Sequence, residues 1–372
     1  MKNNRHCKMS GQTTAIQAFM HLLKSYIGSG ILAMPKAFSY SGIIIGCIGT
    51  PLIGLLCHTC IHMLLQINDH LCQKLDTNPM DFEQLAEKAL IEGPKRLRKY
   101  SNVSRLIVTV FLFSAQMENM DLQWGGASIQ LYLLAILPFL ILISFIKNIK
   151  HLSIGSMFGN VLQLVSFAII IYNLVSDVDE KETKLLGNKV PQFFSTTMFT
   201  YEGITVTMGL YRSMKNRHNF AKPFGVINTA IVIVMTSYTV VGLLGYLKYG
   251  DQVEASITLS LPKEALYISV QLMYSIAITI SYPVQLYVAI QLIWPLIDNK
   301  LRQFKINSFM IGSSNYMFRT LLVLITYALA ALIPKLELIL ALIGAISCST
   351  VAIMIPPILH TITFYDLTQA WK

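Results

Sequence analysis

The sequence is short of charge. Only 13% of its 372 residues are Asp, Glu, Lys or Arg, about half the share of an ordinary soluble domain. Residues 37–68, 122–146, 151–176, 223–247, 265–297 and 338–365 contain none at all. Each run is longer than the ~20 residues a helix needs to cross a bilayer core, which argues against two or three soluble domains. Cysteine is scarce: Cys7, Cys47, Cys57, Cys60, Cys72 and Cys348 all fall in predicted spans or cytoplasmic segments, so no extracellular disulfide framework is expected. The N-x-S/T sequon at Asn102 falls in a predicted cytoplasmic loop and is expected to stay unmodified. There is no Walker-type phosphate loop to support ATP-driven transport, and no nucleophile–base pattern to support an enzyme. No cofactor is expected. The run Cys57-His58-Thr59-Cys60-Ile61-His62 has a C-x-x-C and a histidine pair at i, i+4. Ile61 breaks the haem-attachment spacing, and no carboxylate stands by to orient a zinc ligand, so packing is expected there and no metal.

What the chain has is apolar surface. Hydrophobic residues make up 54% and the mean hydropathy is +0.55. The pattern predicts an all-α membrane protein with about ten transmembrane helices, near 15–35, 42–67, 104–118, 129–146, 152–175, 192–211, 224–247, 266–296, 318–334 and 338–362. The net charge of +10 then reads as loop charge, with no nucleic-acid partner implied. With the amino end inside, 21 Lys and Arg fall on the cytoplasmic side and 7 on the other, with Lys24 within a span. That bias supports both the count and the orientation, with both termini cytoplasmic. The first twelve residues are polar and basic without a cleavage site, so no signal peptide is expected. The predicted organisation is a cytoplasmic tail (1–14), a five-helix half (15–176), an extracellular or lumenal loop (177–191), a second five-helix half (192–362) and a cytoplasmic tail (363–372). The third span is expected to be short, since 12 uncharged residues between Arg105 and Glu118 make about 18 Å of helix. The eighth, with Pro283, is expected to tilt or kink.

Two spans carry helix breakers at mid-length. In the first, Tyr26-Ile27-Gly28-Ser29-Gly30 precedes Pro35; in the sixth, Tyr201-Glu202-Gly203 puts an acid before a glycine. Matching interruptions in the two halves of an inverted repeat point to a transporter's substrate site. Unwinding frees backbone groups, so the new N-terminus near Gly30 can receive a carboxylate and freed carbonyls an ammonium. An amino acid zwitterion presents both. The expected substrate-binding residues are therefore Ile27, Gly28, Ser29, Gly30, Tyr201, Glu202 and Gly203. The same glycines would also suit plain helix packing.

The stretch His21-Leu-Leu-Lys-Ser-Tyr-Ile-Gly-Ser-Gly-Ile-Leu-Ala-Met-Pro35 resembles the first-helix signature of proton-coupled amino acid transporters in the amino acid/auxin permease family. Phe199-Thr-Tyr-Glu-Gly203, Gly245-Tyr-Leu-Lys-Tyr-Gly250, Ser256-Ile-Thr-Leu259 and Ile355-Pro-Pro-Ile-Leu359 extend the likeness in order along nearly the whole chain. The resemblance implies a five-plus-five inverted-repeat fold with broken first and sixth helices. It also implies symport of protons with small neutral amino acids (glycine, alanine or proline), in the plasma membrane or a lysosomal or endosomal membrane. Against the family pattern, an eleventh helix is not expected in this chain.

His21 and Glu202 are the proton-coupling candidates, because an ionisable group inside a span is expensive. A histidine side chain titrates near pH ~6.5, but His21 also suits a packed, hydrogen-bonded role. Glu202 would carry the proton or hold the unwound segment by accepting backbone N–H groups. Lys24, three residues after His21, shares its face. Ser275 and Thr279, four apart on the eighth helix, form a possible hydroxyl or ion site, although such hydroxyls commonly bond their own backbone. Two other readings compete with transport: an amino acid sensor signalling through the 68–105 loop, and a truncated, inactive isoform.

Overall fold

The computed structural model describes residues 13–28, 30–121, 129–145, 149–176, 181–215, 217–303, 308–332, 342 and 344–365. The chain is all-α: among these residues there is no strand, only an isolated parallel bridge between Thr13 and Met214. The helices are α1 (Ala15–Tyr26), α2 (Gly30–Leu75), α3 (Phe82–Glu92), α4 (Ser101–Asp121), α5 (Ile129–Ser144), α6 (Ile149–Val175) and α7 (Val190–Thr200). They continue with α8 (Ile204–Ser213), α9 (Val226–Tyr249), α10 (Ile257–Ser260), α11 (Ala265–Gln303), α12 (Ser308–Leu332) and α13 (Ile355–Thr363). Every predicted window thus contains helix. Among the described residues three stretches are long and apolar enough to cross a membrane: Gly30–Leu75, Val226–Gln252 and Gly344–Thr363.

The helix surfaces suit an apolar solvent. Along α2, Ile44, Ile48, Leu52 and Leu56 recur every four residues and are all exposed, while Ile53, Cys57, Cys60, Ile61 and Leu64 are buried. A ridge of exposed aliphatic side chains of this length suits lipid and would be a liability in water.

Three boundaries differ from the sequence expectation. Residues 36–41, expected as a connector, are helical, and the chain changes direction at Gly42, whose φ of 78° and ψ of 175° lie inside α2. A bend at that point frees backbone groups on both sides of it. The segment before α7 takes them up: Ile43 and Ile44 N–H donate to the carbonyls of Lys184 and Leu185, both at 3.1 Å. In return Gly187 N–H donates to Ser41 O at 2.7 Å and Lys189 N–H to Tyr40 O at 3.1 Å. A Cβ at Gly42 would lie 2.7 Å from Leu185 O, so this position needs glycine for space as well as for its positive φ.

Second, α4 has 21 residues, about 32 Å of helix. The charge-free window is short, but the helix around it is not. Third, α12 begins ten residues ahead of the expected 318, and Arg319, at the start of the expected window and counted among the 21 cytoplasmic charges, is buried within it. Its Nε donates to Asn315 Oδ1 at 2.9 Å and its Nη1 to Ser144 O at 2.6 Å, which is how a buried guanidinium is satisfied.

The chain forms two compact units. One comprises Met1–Leu112, Lys184–Leu243 and Gly344–Lys372; the other comprises Phe113–Thr183 and Leu244–Ile343. Each draws on both halves of the sequence. In the first, α2 packs against α7, α13 and α3, and α1 against α8. In the second, α6 packs along α11 and α5 against α12, around Tyr282, Leu286, Ile290, Leu322 and Val323.

Candidate functional site

Both expected breaks occur, and both lie in the first unit. A capping box starts α1: Gln17 N–H donates to Thr14 Oγ1 at 3.3 Å and Thr14 N–H to Gln17 Oε1 at 3.0 Å, satisfying two end groups. The helix stops at Tyr26, with Ile27 N–H donating to Leu23 O at 2.7 Å, and helix resumes at Gly30. Ser29 lies outside the described residues. In the sixth window α7 stops at Thr200; Glu202 N–H donates to Phe199 O at 3.0 Å, and α8 opens after Gly203, whose carbonyl accepts from Thr207 N–H at 2.9 Å.

Each break seats the other through a glycine. A Cβ on Gly30 would lie 3.1 Å from Thr200 Cα, and one on Gly203 would lie 2.5 Å from Cε1 and Cζ of the Tyr26 ring. Above the ring, the Tyr26 hydroxyl is 3.4 Å from Thr207 Oγ1 in α8. The phenol of Tyr238, from α9, stands 2.5 Å from Tyr26 O and 2.8 Å from Thr200 O, the carbonyls of the last residues of α1 and α7. Tyr238 also touches Tyr201, ring centres 5.0 Å apart. Tyr201 and Gly203 are buried; Ile27, Gly28 and Glu202 are half-buried. The structure therefore brings Ile27, Gly28 and Gly30 together with Tyr201, Glu202 and Gly203.

The arrangement supplies complementary partial charges. The first N–H groups of α2 and α8 carry no intrahelical partner, nor do the last carbonyls of α1 and α7. A carboxylate is favoured at the former and a cation at the latter, each by about 0.3–1 kcal/mol, rising to ~2 kcal/mol where partly buried.

The remaining candidates lie elsewhere. On α1, Ala18, Leu22 and Tyr26 form the buried face; His21 lies off it, exposed, two turns before the break. The Lys24 side chain is outside those described. Ser275 and Thr279 belong to α11, in the second unit, and donate at 2.8 Å to their own helix, at Gln271 O and Ser275 O. Around the C-x-x-C run, Cys57 Sγ lies 3.9 Å from Met198 Sδ, Cys60 is buried near Ile353 O, and His62 Nε2 is 2.8 Å from Asn228 Oδ1. Among the described residues no group of three or more His, Cys, Asp or Glu side chains is placed to hold a metal. Tyr238 was not anticipated; its only signal is a tyrosine in the middle of an apolar helix.

Long apolar helices, with two interrupted helices seated on one another, mark an integral membrane protein. The family described as "Transmembrane amino acid transporter protein" matches residues 11–371, and the chain belongs to that family. It is 31% identical over 374 residues to the "Proton-coupled amino acid transporter-like protein pathetic" of Drosophila melanogaster, covering 95% of this chain and 78% of that one. It is 25% identical over 383 residues to "Probable amino acid transporter skat-1" of Caenorhabditis elegans, covering 96% of this chain and 82% of that one. Family membership places the chain among transporters of amino acids rather than among enzymes.

Proposed function

We propose that this protein is a secondary active symporter that moves small neutral amino acids with protons, through a site formed by the two broken helices. The observation that carries the reading is the reciprocal seating of Gly30 on Thr200 and Gly203 on Tyr26. It sets two helix N-termini and two helix C-termini beside one another, as the two ends of a zwitterion require. Ile27, Gly28, Ser29, Gly30, Tyr201, Glu202 and Gly203 form the site. A small substrate fits this packing, since the glycines are already filled by Thr200 and Tyr26. The family likeness and the relative named as proton-coupled support the driving ion.

The proton is carried by His21 or Glu202. Glu202 lies in the sixth break itself, whereas His21 is two turns from the first. The architecture is ten spans with both termini cytoplasmic, arranged as an inverted repeat in which α1–α2 correspond to α7–α9. The test is uptake of labelled glycine, alanine and proline at acidic and neutral external pH. Uptake that is stimulated by acid and stopped by collapsing the proton gradient supports the reading. Uptake indifferent to the gradient removes proton coupling, and no uptake of any of the three removes the substrate class.

A further inference from the structure

Three structural facts converge on Tyr238. It is wholly buried in the middle of α9, so its phenol is out of contact with water. Its oxygen lies within hydrogen-bond distance of Tyr26 O and Thr200 O, at 2.5 and 2.8 Å, and these carbonyls end the first halves of the two broken helices. Its ring packs on Tyr201 in the sixth break. One side chain from a third, unbroken helix thus touches both interruptions.

The hydrogen-bond arithmetic gives the role. Two helix C-termini, each carrying about half a negative charge, repel when brought together. A phenol has one proton to donate, whereas two carbonyls offer four lone pairs. Tyr238 therefore tethers both ends by sharing its one proton between the two carbonyls, and leaves most of their acceptor capacity unused. The remaining lone pairs belong to converging carbonyls in a low-dielectric setting, which favours a group with several N–H donors and a positive charge. A primary ammonium has three. An apolar residue of the same shape would fill the space equally well but would leave the carbonyl ends free to separate.

We propose that Tyr238 is a positioning residue for the substrate ammonium: its hydroxyl fixes the spacing of the Tyr26 and Thr200 carbonyls that receive it. This rests on the reading of the paired breaks as the amino acid site. It adds a determinant of affinity that neither break contains.

The experiment is glycine transport by Tyr238→Phe in the full chain, with KM, maximal rate and surface amount measured together. Tyr246→Phe is the control; it removes a phenol from the same helix, one that donates to Asp251 at 3.0 Å. The expected result is a glycine KM raised about tenfold in Tyr238→Phe, with maximal rate per surface molecule within about twofold and Tyr246→Phe unchanged. A glycine KM unchanged in a well-expressed Tyr238→Phe overturns the proposal. So does a loss of rate and surface amount with KM unmoved, which is what a purely structural hydroxyl would show. Should Tyr238→Phe fail to reach the membrane, 3-fluorotyrosine at position 238 decides. Its hydroxyl donates more strongly, so a lower glycine KM is expected and an unmoved KM overturns the proposal. A parent protein that transports none of glycine, alanine or proline brings down the substrate reading itself, a result distinct from any of these.

Discussion

Gly203 receives the ring of Tyr26. A single added methyl at Gly203 would sit 2.5 Å from two ring carbons, closer than any carbon–carbon contact tolerates. Tyr26 is buried, and its hydroxyl is within reach of Thr207, so the ring has little room to retreat. The break in the sixth window is therefore shaped around the last residue before the break in the first.

Gly203→Ala is accordingly expected to lower amino acid uptake by at least about tenfold, a change of ~1.4 kcal/mol in transition-state terms, while surface amount falls much less. Uptake per surface molecule checks it. A fully active Gly203→Ala would mean that the two breaks are not packed as described.

A second expectation concerns Gly42, which has no part in the site. With φ at 78° and ψ at 175°, this backbone region is essentially restricted to glycine, and another residue pays about 1–3 kcal/mol. Leu185 O and Gly187 N crowd the same position. Gly42→Ala should lower the melting temperature in detergent and make the segment before α7 easier to cleave with protease. Glycine KM in the surviving folded fraction should stay near that of the parent.

The third concerns pH and a group outside the membrane. Burial holds the Glu83 carboxyl above the usual carboxylate range, with a hydrogen bond from backbone N–H opposing it, the Asp81 charge adding to it and Arg105 and Arg212 opposing it. The folded state thus binds the proton more tightly than the unfolded state. Stability from this group is fully present below the ordinary carboxylate pKa of about 4.3 and is lost as pH rises through the raised folded value. Glu83→Gln should therefore raise the melting temperature near neutral pH and leave it unchanged near pH ~3.5. Melting curves at the two pH values check the sign; a variant destabilised at neutral pH would show that the backbone hydrogen bond and the Arg105 and Arg212 attraction together outweigh burial.

The fourth separates the two proton candidates. With Glu202 in the break and His21 exposed on α1, Glu202→Gln is expected to flatten the dependence of substrate-evoked current on external pH between about 5 and 8. His21→Ala should retain that dependence. The reverse pattern would transfer the proton to His21, and an unchanged profile in both variants would exclude them together.

The sequence made the broken helices readable because glycines and an acid stand where apolar helix formers should be. Gly28, Gly30 and Gly203 punctuate the pattern locally, and local punctuation needs no tertiary information. What lay beyond it was tertiary. The seating of Gly30 on Thr200 joins residues far apart in the chain, and no periodicity encodes it. Tyr238 was hidden because a tyrosine in an apolar run looks like any other large core residue until its hydroxyl finds partners. Gly42 was passed over because one turn-forming glycine between two apolar stretches reads as the edge of a loop, while its helical neighbours are capped by a segment more than 140 residues later. Arg319 misled in the opposite direction: it counts as a cytoplasmic charge at a helix end unless its buried partners, Asn315 and the Ser144 carbonyl, are known.

The most direct test of the central claim is current evoked by glycine, alanine or proline at acidic external pH, measured in the parent and in Gly30→Leu at matched surface amount. Leucine at position 30 would drive a bulky side chain into Thr200, whose Cα already lies 3.1 Å from where a Cβ would be, and would close the freed N-terminus of α2. The account predicts inward current in the parent and none in the variant. Equal currents in the two would contradict it.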